Sequence, residues 1–503
     1  MAAVELSKTT ISKNISFLPP LLKSKKATQG VGLFITWVAF LLRVNQLAGQ
    51  SLWRDEVDAI RFSGWPIGQL LQGLFRAGHN GPLYFLLLRP WRQLGGDSEF
   101  ALRYPSAAFG TLAIPLGFVL ARQFGFNRRV GLLLGLLLAT SPYLIWYGQE
   151  AKMYTLLLAL IMLAFIAYLK ALAGARFSRF PALTWVWWVI FVTATTFSFY
   201  THILSPLILL VYTVVAMLYP DQWRRQRRPW LVSMACLTLP YLPLAVWQIP
   251  LLWGGFQSGH PYYGLRDMTS LLLQLYSYGL ITFAGLMPMV LFIFLLLGGL
   301  FLRQRIHQPN RLVLLAWLLL PPLAVYLISW RVQIFEDRYL IYITPAFYLL
   351  TALGLHLINS QARWLGGLCL GLILLNNATG IWQQQSQPLK ADFRSAATYL
   401  TTHRLSTTPI MIQTPYLHYT LDYYYSEDYP FLEGLWTNGG KTEEAVDEEM
   451  TNLTAGLTEL WLVVSEEDLW DERHLTRAWL DSHTNRVAEM HFVRISIYRY
   501  RFR

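Results

Sequence analysis

The chain has 503 residues, of which 54% are hydrophobic and only 14% are charged. Soluble domains carry about 25% charged residues, so this composition excludes an ordinary soluble protein. The formal net charge of +12 does not indicate nucleic-acid binding, because residues 390–503 alone hold 11 basic and 18 acidic residues. The basic excess lies in the apolar part, where the preference of Lys and Arg for the cytoplasmic ends of membrane spans accounts for it.

Apolar runs long enough to cross a bilayer recur from residue 29 to residue 382. Basic clusters between them favour the cytoplasm and fix the expected orientation. Residues 1–28 are expected to be a cytoplasmic segment, followed by an uncleaved signal anchor and a membrane domain over 29–385. We expect about eleven spans, and up to thirteen if residues 266–302 contribute more: 29–49, 100–121, 130–148, 152–170, 182–199, 203–219, 230–249, 283–302, 311–329, 339–358 and 363–382.

The first outer loop, residues 50–99, is predicted to hold two juxtamembrane helices rather than spans. The stretch SLWRDEVDAI begins at Ser51, a candidate N-cap, and its apolar residues Trp53, Val57 and Ile60 share one helical face. The apolar stretch 82–91 is short and contains an Arg-Pro pair, so we place it as a partly immersed helix on the outer face.

Three acids occur within four positions of this loop. Asp58 has Arg54 and Arg61 within helical reach, which predicts a structural role. Asp55 and Glu56 have no such local partner and precede the apolar stripe, so both are candidates for a general base. A structural alternative stays open, in which the two acids stabilise the positive end of the helix.

The predicted topology gathers the acids of the membrane domain on the outer face. Asp55, Glu150, Glu336 and Asp337 all fall at outer loops or outer helix ends. Carboxylates at the hydrocarbon boundary are costly, which indicates a working surface. The alternative is that acids merely avoid the cytoplasmic side.

Residues 386–503 change character and predict a small exoplasmic α/β domain. Strand-like runs occur at 409–413, 459–464 and 492–498, with helical patterns at 392–403 and 474–483. No glycine spacing typical of a phosphate loop or a dinucleotide fold is present.

Five stretches, taken together in this order, resemble the polytopic glycosyltransferases of the GT-C superfamily. They are GHNGPLY at 78–84, GDSEFALRYPS at 96–106, SPYLIWYGQEAKMY at 141–154, YTH at 200–202 and EDRY at 336–339, after the acidic pair of the first loop. The resemblance is to the bacterial branch related to protein mannosyltransferases and lipid A aminoarabinose transferases. It implies inverting sugar transfer from a polyprenyl-phosphate donor, with Asp55 as catalytic base and Glu56 as its neighbour. Members often have His-Pro-Pro where this chain has His79-Asn-Gly-Pro82.

The resemblance also supplies candidate substrate-binding residues. A lipid-linked phosphate stays at headgroup level, where cationic ends of outer helices can bind it. Lys152, Arg331 and Arg338 are the candidates, Arg103 is a further one, and Tyr339 lies beside Arg338 in the sequence. The further candidates are Glu150, His79 and His202.

A divalent cation held by Glu150 and His202 is left open, because separations this large in sequence define no geometry. The expected partners are a polyprenyl-phosphate-linked sugar, a lipid, glycan or protein acceptor, and the bilayer, but no nucleic acid. We expect a multi-pass protein of the inner (plasma) membrane, with its active site and C-terminus on the outer, periplasmic face.

Two other function classes stay as alternatives. A lipid or polysaccharide transporter would place charges near the bilayer midplane and show paired broken helices, and neither is evident in the sequence. A non-catalytic membrane scaffold predicts that Asp55→Asn has no effect.

Overall fold

A computed structural model describes residues 24–73, 80–174, 184–254, 260–281, 285–301, 308–405 and 407–503. Residues up to 386 are helical and are followed by an α/β region. In the described part of the helical region the helices are α1 (Lys25–Val44), α2 (Arg54–Gly64), α3 (Ile67–Gln72), α4 (Leu83–Gly95), α5 (Glu99–Gln123), α6 (Arg128–Thr140), α7 (Pro142–Gly148), α8 (Tyr154–Ala173), α9 (Thr184–Phe199), α10 (Ile208–Leu218), α11 (Pro220–Thr238), α12 (Leu242–Trp253), α13 (Leu265–Tyr278), α14 (Met287–Phe301), α15 (Gln308–Ser329), α16 (Thr344–Gln361) and α17 (Arg363–Ser386).

Within the described residues, six helices are long and apolar enough to cross a membrane, and the bent pair α6 and α7 brings the number to seven. Shorter apolar helices lie at Thr184–Phe199, Ser205–Leu218 and Met287–Phe301. The multi-pass helical architecture is therefore confirmed, whereas the count of eleven stays a prediction. Helix α13 has 14 residues, about 21 Å at the rise of an α-helix, and is too short to span a bilayer.

Two predicted spans are not single straight helices. The expected span 230–249 is divided between α11 and α12 by a 3-10 turn at Leu239–Tyr241, because Pro240 and Pro243 cannot donate helical hydrogen bonds. The expected span 130–148 is bent by 57° between α6 and α7.

The bend between α6 and α7 has a visible cause and a visible compensation. Pro142 begins α7 and lacks an N–H, while the Ser141 hydroxyl caps the new helix by accepting from the Leu144 amide at 3.2 Å. Arg43 of α1 donates to the carbonyl oxygens of Leu138 (3.0 Å) and Ala139 (3.2 Å), which lie next to the bend. The buried guanidinium thus satisfies backbone groups of the interrupted helix.

The outer loop forms short helices, as predicted, but its cap differs. Trp53 rather than Ser51 precedes the first turn of α2, and the Ser51 hydroxyl instead donates to Asp392 at 3.0 Å. Helix α4 has 13 residues, about 20 Å, and is too short to cross.

The C-terminal region is built on a five-stranded sheet of order β2-β1-β3-β5-β4. Strands β1 and β2 and strands β1 and β3 pair parallel, while β5 is antiparallel to both β3 and β4. The elements are α18 (Phe393–His403), β1 (Ile410–Ile412), α19 (His418–Tyr424), β2 (Phe431–Glu433), α20 (Glu443–Leu453), β3 (Glu459–Val464), α21 (Leu475–His483), β4 (Thr484–Phe492) and β5 (Ile495–Phe502).

Alternating residues of the sheet pack into two hydrophobic layers, one on each face of the sheet. In β3, Trp461 and Val463 pack on the side of α18 and α19, while Leu460 and Leu462 pack on the side of α20 and α21. The predicted strand 492–498 instead covers the turn between β4 and β5, where Arg494 has a positive φ of 55°.

The α/β region packs directly on the first outer loop. The Leu52 amide donates to the Tyr424 hydroxyl at 2.6 Å, and the Tyr423 hydroxyl donates to the Asp97 carbonyl at 2.6 Å. Arg394 forms an ion pair with Glu99. The loop therefore lies between the helical region and the sheet region.

Candidate active site

Asp55 lies in the first turn of α2 and has two cationic neighbours. Arg54 Nε is 3.7 Å from one carboxylate oxygen and Arg338 Nη2 is 3.6 Å from the other. The expectation that Asp55 lacks a basic partner is therefore wrong. Burial opposes ionisation, but the charges of Lys152, Arg338 and Arg54 lower the pKa of Asp55 below its ordinary value. With 18% of its side chain exposed, Asp55 is an ionised carboxylate with an accessible oxygen.

Arg338 is held by the 3-10 helix Asp337–Ile343, which precedes α16. The Tyr147 hydroxyl donates to the Asp337 carboxylate at 2.9 Å, and the Tyr143 hydroxyl donates to the Asp337 carbonyl at 3.1 Å. Both tyrosines belong to α7, whose direction is set by the bend at Ser141. The broken helix thereby fixes the position of Arg338.

Aromatic rings surround the Arg338 guanidinium. Its Cζ lies 5.4 Å from the ring centroid of Trp53, and 5.9 Å from the centroids of both Tyr154 and Tyr339. Such contacts stabilise a cation while leaving its N–H groups free to donate to an anion. Tyr339 therefore lies beside the cation, as its place in the sequence implied.

Glu56 occupies a different environment from its neighbour. It is fully buried, and Arg103 donates to both of its oxygens at 2.7 and 2.8 Å. Lys390 Nζ donates at 2.9 Å and the Ala151 amide donates at 2.9 Å. Burial is outweighed by Arg103 and Lys390, so the pKa of Glu56 is lowered. A carboxylate with both oxygens engaged cannot accept a substrate proton, and the expectation that Glu56 takes part in the chemistry is not supported by its geometry.

Arg103 is likewise turned away from any substrate. Besides Glu56, its guanidinium donates to the carbonyl oxygens of Leu47 (2.9 Å), Gln50 (2.8 Å) and Ser51 (2.9 Å). Only 2% of the residue is exposed. The structure places Arg103 under the first outer loop rather than at a phosphate site.

Glu150 lies in the turn between α7 and α8 and faces the same buried cation as Glu56. Lys390 Nζ is 3.8 Å from Glu150 Oε1, while Oε2 has no hydrogen-bond partner among the described residues. Burial raises the pKa of Glu150 to about 7, with Lys390 opposing and Glu56 adding to the increase. A carboxyl poised near neutrality with a spare oxygen can donate or accept a proton.

Lys390 is a site residue that the sequence reasoning missed. It follows α17 at the start of the α/β region and is 9% exposed. Its ammonium joins Glu56 and Glu150, which are 94 positions apart in sequence. A lone lysine in a polar linker carries no motif, so no local signal marked it.

The remaining predicted residues have separate placements. Lys152 is 8% exposed, and its charge contributes to the lowered pKa of Asp55. His202 is fully buried, and its Nδ1 accepts from the Leu204 amide at 3.2 Å. Burial and the charge of Arg338 lower the pKa of His202 to about 3, so its ring is neutral. His79 lies outside the described residues.

The neutral His202 ring lies beside the aromatic group around Arg338. Its centroid is 4.6 Å from that of Tyr339, and its Nε2 has no hydrogen-bond partner in the described part of the chain. Glu150 and His202 do not join a third ligand, because the described residues contain no group of three or more His, Cys, Asp or Glu side chains that could hold a metal ion. His79, the other candidate for such a group, lies outside the described residues, so the expectation of a possible divalent cation stays open.

Two further arginines of α2, Arg54 and Arg61, form ion pairs near Asp55. Asp58 pairs with Arg61 at 3.1 Å, one of the two partners expected for it. Arg54 instead pairs with Asp55 and with Glu466 of the α/β region at 3.0 Å. The α/β region therefore reaches the immediate surroundings of Asp55.

Comparisons with known proteins match this architecture. Residues 79–247, about a third of the chain, match the family model described as dolichyl-phosphate-mannose-protein mannosyltransferase. A search of curated proteins found no match.

Solved structures match over most of the chain. ArnT from Cupriavidus metallidurans in the apo state is 16% identical with a TM-score of 0.61, and the match covers 94% of this chain and 98% of that one. The same protein bound to undecaprenyl phosphate is 15% identical with a TM-score of 0.59 and the same coverage. The Archaeoglobus fulgidus oligosaccharyltransferase in complex with Zn and sulfate is 13% identical with a TM-score of 0.58, covering 93% of this chain and 72% of that one. Over most of its length, this chain therefore has the fold of ArnT and of the archaeal oligosaccharyltransferase, as the resemblance predicted.

Proposed function

We propose that this protein is an integral membrane glycosyltransferase that transfers a sugar from a polyprenyl-phosphate donor to an acceptor at the outer face of the membrane. The observation that carries this proposal is the pairing of an ionised, accessible Asp55 with Arg338 at 3.6 Å. One group can remove a proton and the other can bind a phosphate, as displacement at an anomeric carbon requires. The structural match to ArnT bound to undecaprenyl phosphate supports the donor class.

The reaction follows from these two groups. Asp55 accepts the proton of an acceptor hydroxyl or amine as that atom forms a bond to the anomeric carbon. The bond from the anomeric carbon to the phosphate oxygen breaks on the opposite side, and its electron pair leaves on polyprenyl phosphate. Arg338, supported by Lys152, stabilises the charge of the departing phosphate. A single displacement inverts the anomeric configuration.

Glu56 and Arg103 take positioning roles in this scheme. Their buried pair fixes the first turn of α2 against α5, and with it the Asp55 side chain. Glu150 lies on the other side of Lys390 with 2% of the residue exposed, and we assign it to positioning the Lys390 ammonium. His202 is neutral and fully buried, and because its Nδ1 accepts from the Leu204 amide, we assign its proton to Nε2.

The test is transfer by the purified protein in nanodiscs, using undecaprenyl-phosphate-linked sugars and membrane extract as the source of acceptor. We expect polyprenyl phosphate to be released and the product to have the inverted configuration by NMR. Arg338→Gln should raise the donor KM by about tenfold to a hundredfold, the weight of a lost charge-assisted contact. Exposed Arg266→Gln on α13 is the control. Retained configuration, or turnover only with a soluble nucleotide sugar, would contradict the proposal.

The orientation is tested by labelling. In a background with Cys236→Ser and Cys369→Ser, a cysteine at exposed Glu448 should react with a membrane-impermeant maleimide in intact cells. A cysteine at exposed Arg128 should react only after the membrane is opened. The reverse pattern would place Asp55 on the cytoplasmic face and overturn the proposed site of reaction.

A further inference from the structure

The α/β region carries an aromatic groove whose residues have no role in the proposed reaction. This tryptophan groove has a volume of about 580 Å³ and lies between strand β2 and helix α20, with Trp436 and Trp470 in its wall. Their ring centroids are 6.5 Å apart and the rings are tilted by 55°. The Trp470 indole N–H donates to the Gly434 carbonyl at 3.0 Å, which fixes that ring. Trp436 leaves 52% of its surface open.

The rim of the groove is polar. Lys441 Nζ contacts both carboxylate oxygens of Glu449 at 2.8 and 2.7 Å, and Asn452 and Glu433 are exposed beside them. Carboxylate and amide oxygens accept hydrogen bonds, and the amide and ammonium groups donate them. Aromatic walls with a few placed polar groups are typical of small-ligand sites, whose volumes are about 300–1,000 Å³.

The charges of the groove narrow the class of ligand. Two carboxylates face one ammonium, so a phosphate or a nucleic acid would be repelled. A purely apolar ligand would leave the rim groups without partners. A saccharide suits both features, because its ring presents C–H groups to the negative faces of indoles and hydroxyls to carboxylate and amide groups.

The groove is linked to Asp55 by a short series of contacts. The Trp470 ring lies 5.9 Å from that of Tyr416, edge to face. Arg54 donates to the Tyr416 hydroxyl at 3.1 Å, with its guanidinium 5.1 Å from the ring centroid. Arg54 in turn lies 3.7 Å from Asp55. These contacts join one wall of the groove, through Tyr416 and Arg54, to the surroundings of the carboxylate that accepts the proton.

We propose that the tryptophan groove binds a neutral saccharide and that the acceptor of this enzyme is a glycan. The proposal rests on the proposed transferase function and names its acceptor class. Trp436 is the exposed platform, Trp470 is the fixed wall, and the α/β region is the part of the protein that selects the acceptor.

The test is ligand-observed NMR on the full-length protein in nanodiscs, with maltotriose, mannotriose and chitotriose as probes and inositol hexaphosphate as an anionic comparison. We expect at least one trisaccharide to bind with a millimolar Kd. Trp436→Ala should weaken that binding by about tenfold, and Trp436→Phe should restore most of it. The matched control is Leu405→Ala, which removes another exposed apolar side chain of the same region.

Binding of no trisaccharide, equal binding by the wild type and Trp436→Ala, or tighter binding of inositol hexaphosphate would each overturn the groove proposal. The two proposals fail separately. Saccharide binding that depends on Trp436, without turnover of any lipid-linked donor, would contradict the transferase function alone. Donor turnover without saccharide binding would contradict the groove alone.

Discussion

Asp55 and Glu56 are neighbours in sequence, yet they belong to two regions of different chemistry. On the open side, Asp55 faces Arg338 at 3.6 Å and keeps part of its surface accessible. On the closed side, Glu56 is surrounded by Arg103, Lys390 and the Ala151 amide, with no surface exposed. Both carboxylates are ionised, so charge does not distinguish them. Spare hydrogen-bonding capacity and access decide which one can react.

The largest effect is expected on the open side. Asp55→Asn removes the proton acceptor and should lower the transfer rate by about 10²–10⁴-fold, the usual contribution of a general base. Yield and thermal stability should stay near those of the wild type, because the side chain is partly exposed and its size is preserved. The measurement is the initial rate of polyprenyl-phosphate release together with the melting temperature. An unchanged rate would favour the scaffold alternative.

The closed side should instead respond in stability. Glu56→Gln removes the buried counterion of Arg103 and leaves Lys390 with only Glu150 at 3.8 Å, which costs about 3–5 kcal/mol of unfolding free energy. Denaturant titration in detergent would measure it. The double variant with Lys390→Met removes one of the stranded cations and should recover part of the loss. If Glu56→Gln lowers the rate as much as Asp55→Asn does, while stability is unchanged, the division into open and closed sides is wrong.

Glu150 gives the closed side a stability that depends on pH. Its pKa of about 7 lies above the ordinary value of 4.5, so the folded protein holds this proton more tightly than the unfolded chain does. The contribution to stability is full below pH 4.5 and is lost as the pH rises to about 7, by on the order of 1–3 kcal/mol. Glu150→Gln should flatten this part of the curve of melting temperature against pH. Glu99→Gln, another carboxyl of the outer loops, is the comparison, and an equal flattening there would contradict the assignment.

Replacing Lys390 should shift the midpoint of the curve of melting temperature against pH. Its ammonium lies 3.8 Å from Glu150 and lowers that carboxyl's pKa, so Lys390→Met should shift the midpoint to higher pH, whereas Lys390→Arg should leave it close to the wild-type value. Melting curves at several pH values measure the shift. A midpoint that stays in place in Lys390→Met would show that the ammonium does not act on Glu150.

The smallest effect is expected at the Asp58 and Arg61 pair. Both side chains are about 30% exposed and lie 3.1 Å apart at the surface of α2. Asp58→Asn should cost less than about 1 kcal/mol and leave the transfer rate within a factor of two. A rate loss comparable to that of Asp55→Asn would mean that the reactive acid of this helix has been misassigned.

Much of the fold could be predicted from the sequence because its strongest signals are local. Apolar runs, basic clusters and the short Arg-Pro stretch near Pro90 predicted a multi-pass helical protein with outer juxtamembrane helices. The bend at Pro142 and the division near Pro240 were missed. The prediction relied on mean apolarity, which a proline hardly changes, although a proline interrupts the hydrogen bonds of the helix.

The site residues were predictable only where they belonged to a recognisable motif. The motifs pointed to Asp55 and Arg338, whose side chains the structure brings together. The division between Asp55 and Glu56 could not be derived, because it depends on Arg103 and on Lys390 from the following region. A helical pattern places adjacent residues about 100° apart, but it does not say which partners will meet them. The same limit made Arg103 resemble a phosphate ligand.

Arg43 links the first helix to the position of Arg338 without contacting Arg338 itself. The Arg43 guanidinium donates hydrogen bonds to two carbonyl groups at the bend between α6 and α7. Helix α7 in turn contacts the 3-10 helix that bears Arg338. Replacement of Arg43 by an apolar residue would leave these carbonyl groups without partners and allow the angle between α6 and α7 to change. Arg338 would then be displaced by a change in the first helix, so a screen for inactive variants should include residues that support α7 and do not contact the lipid-linked anion.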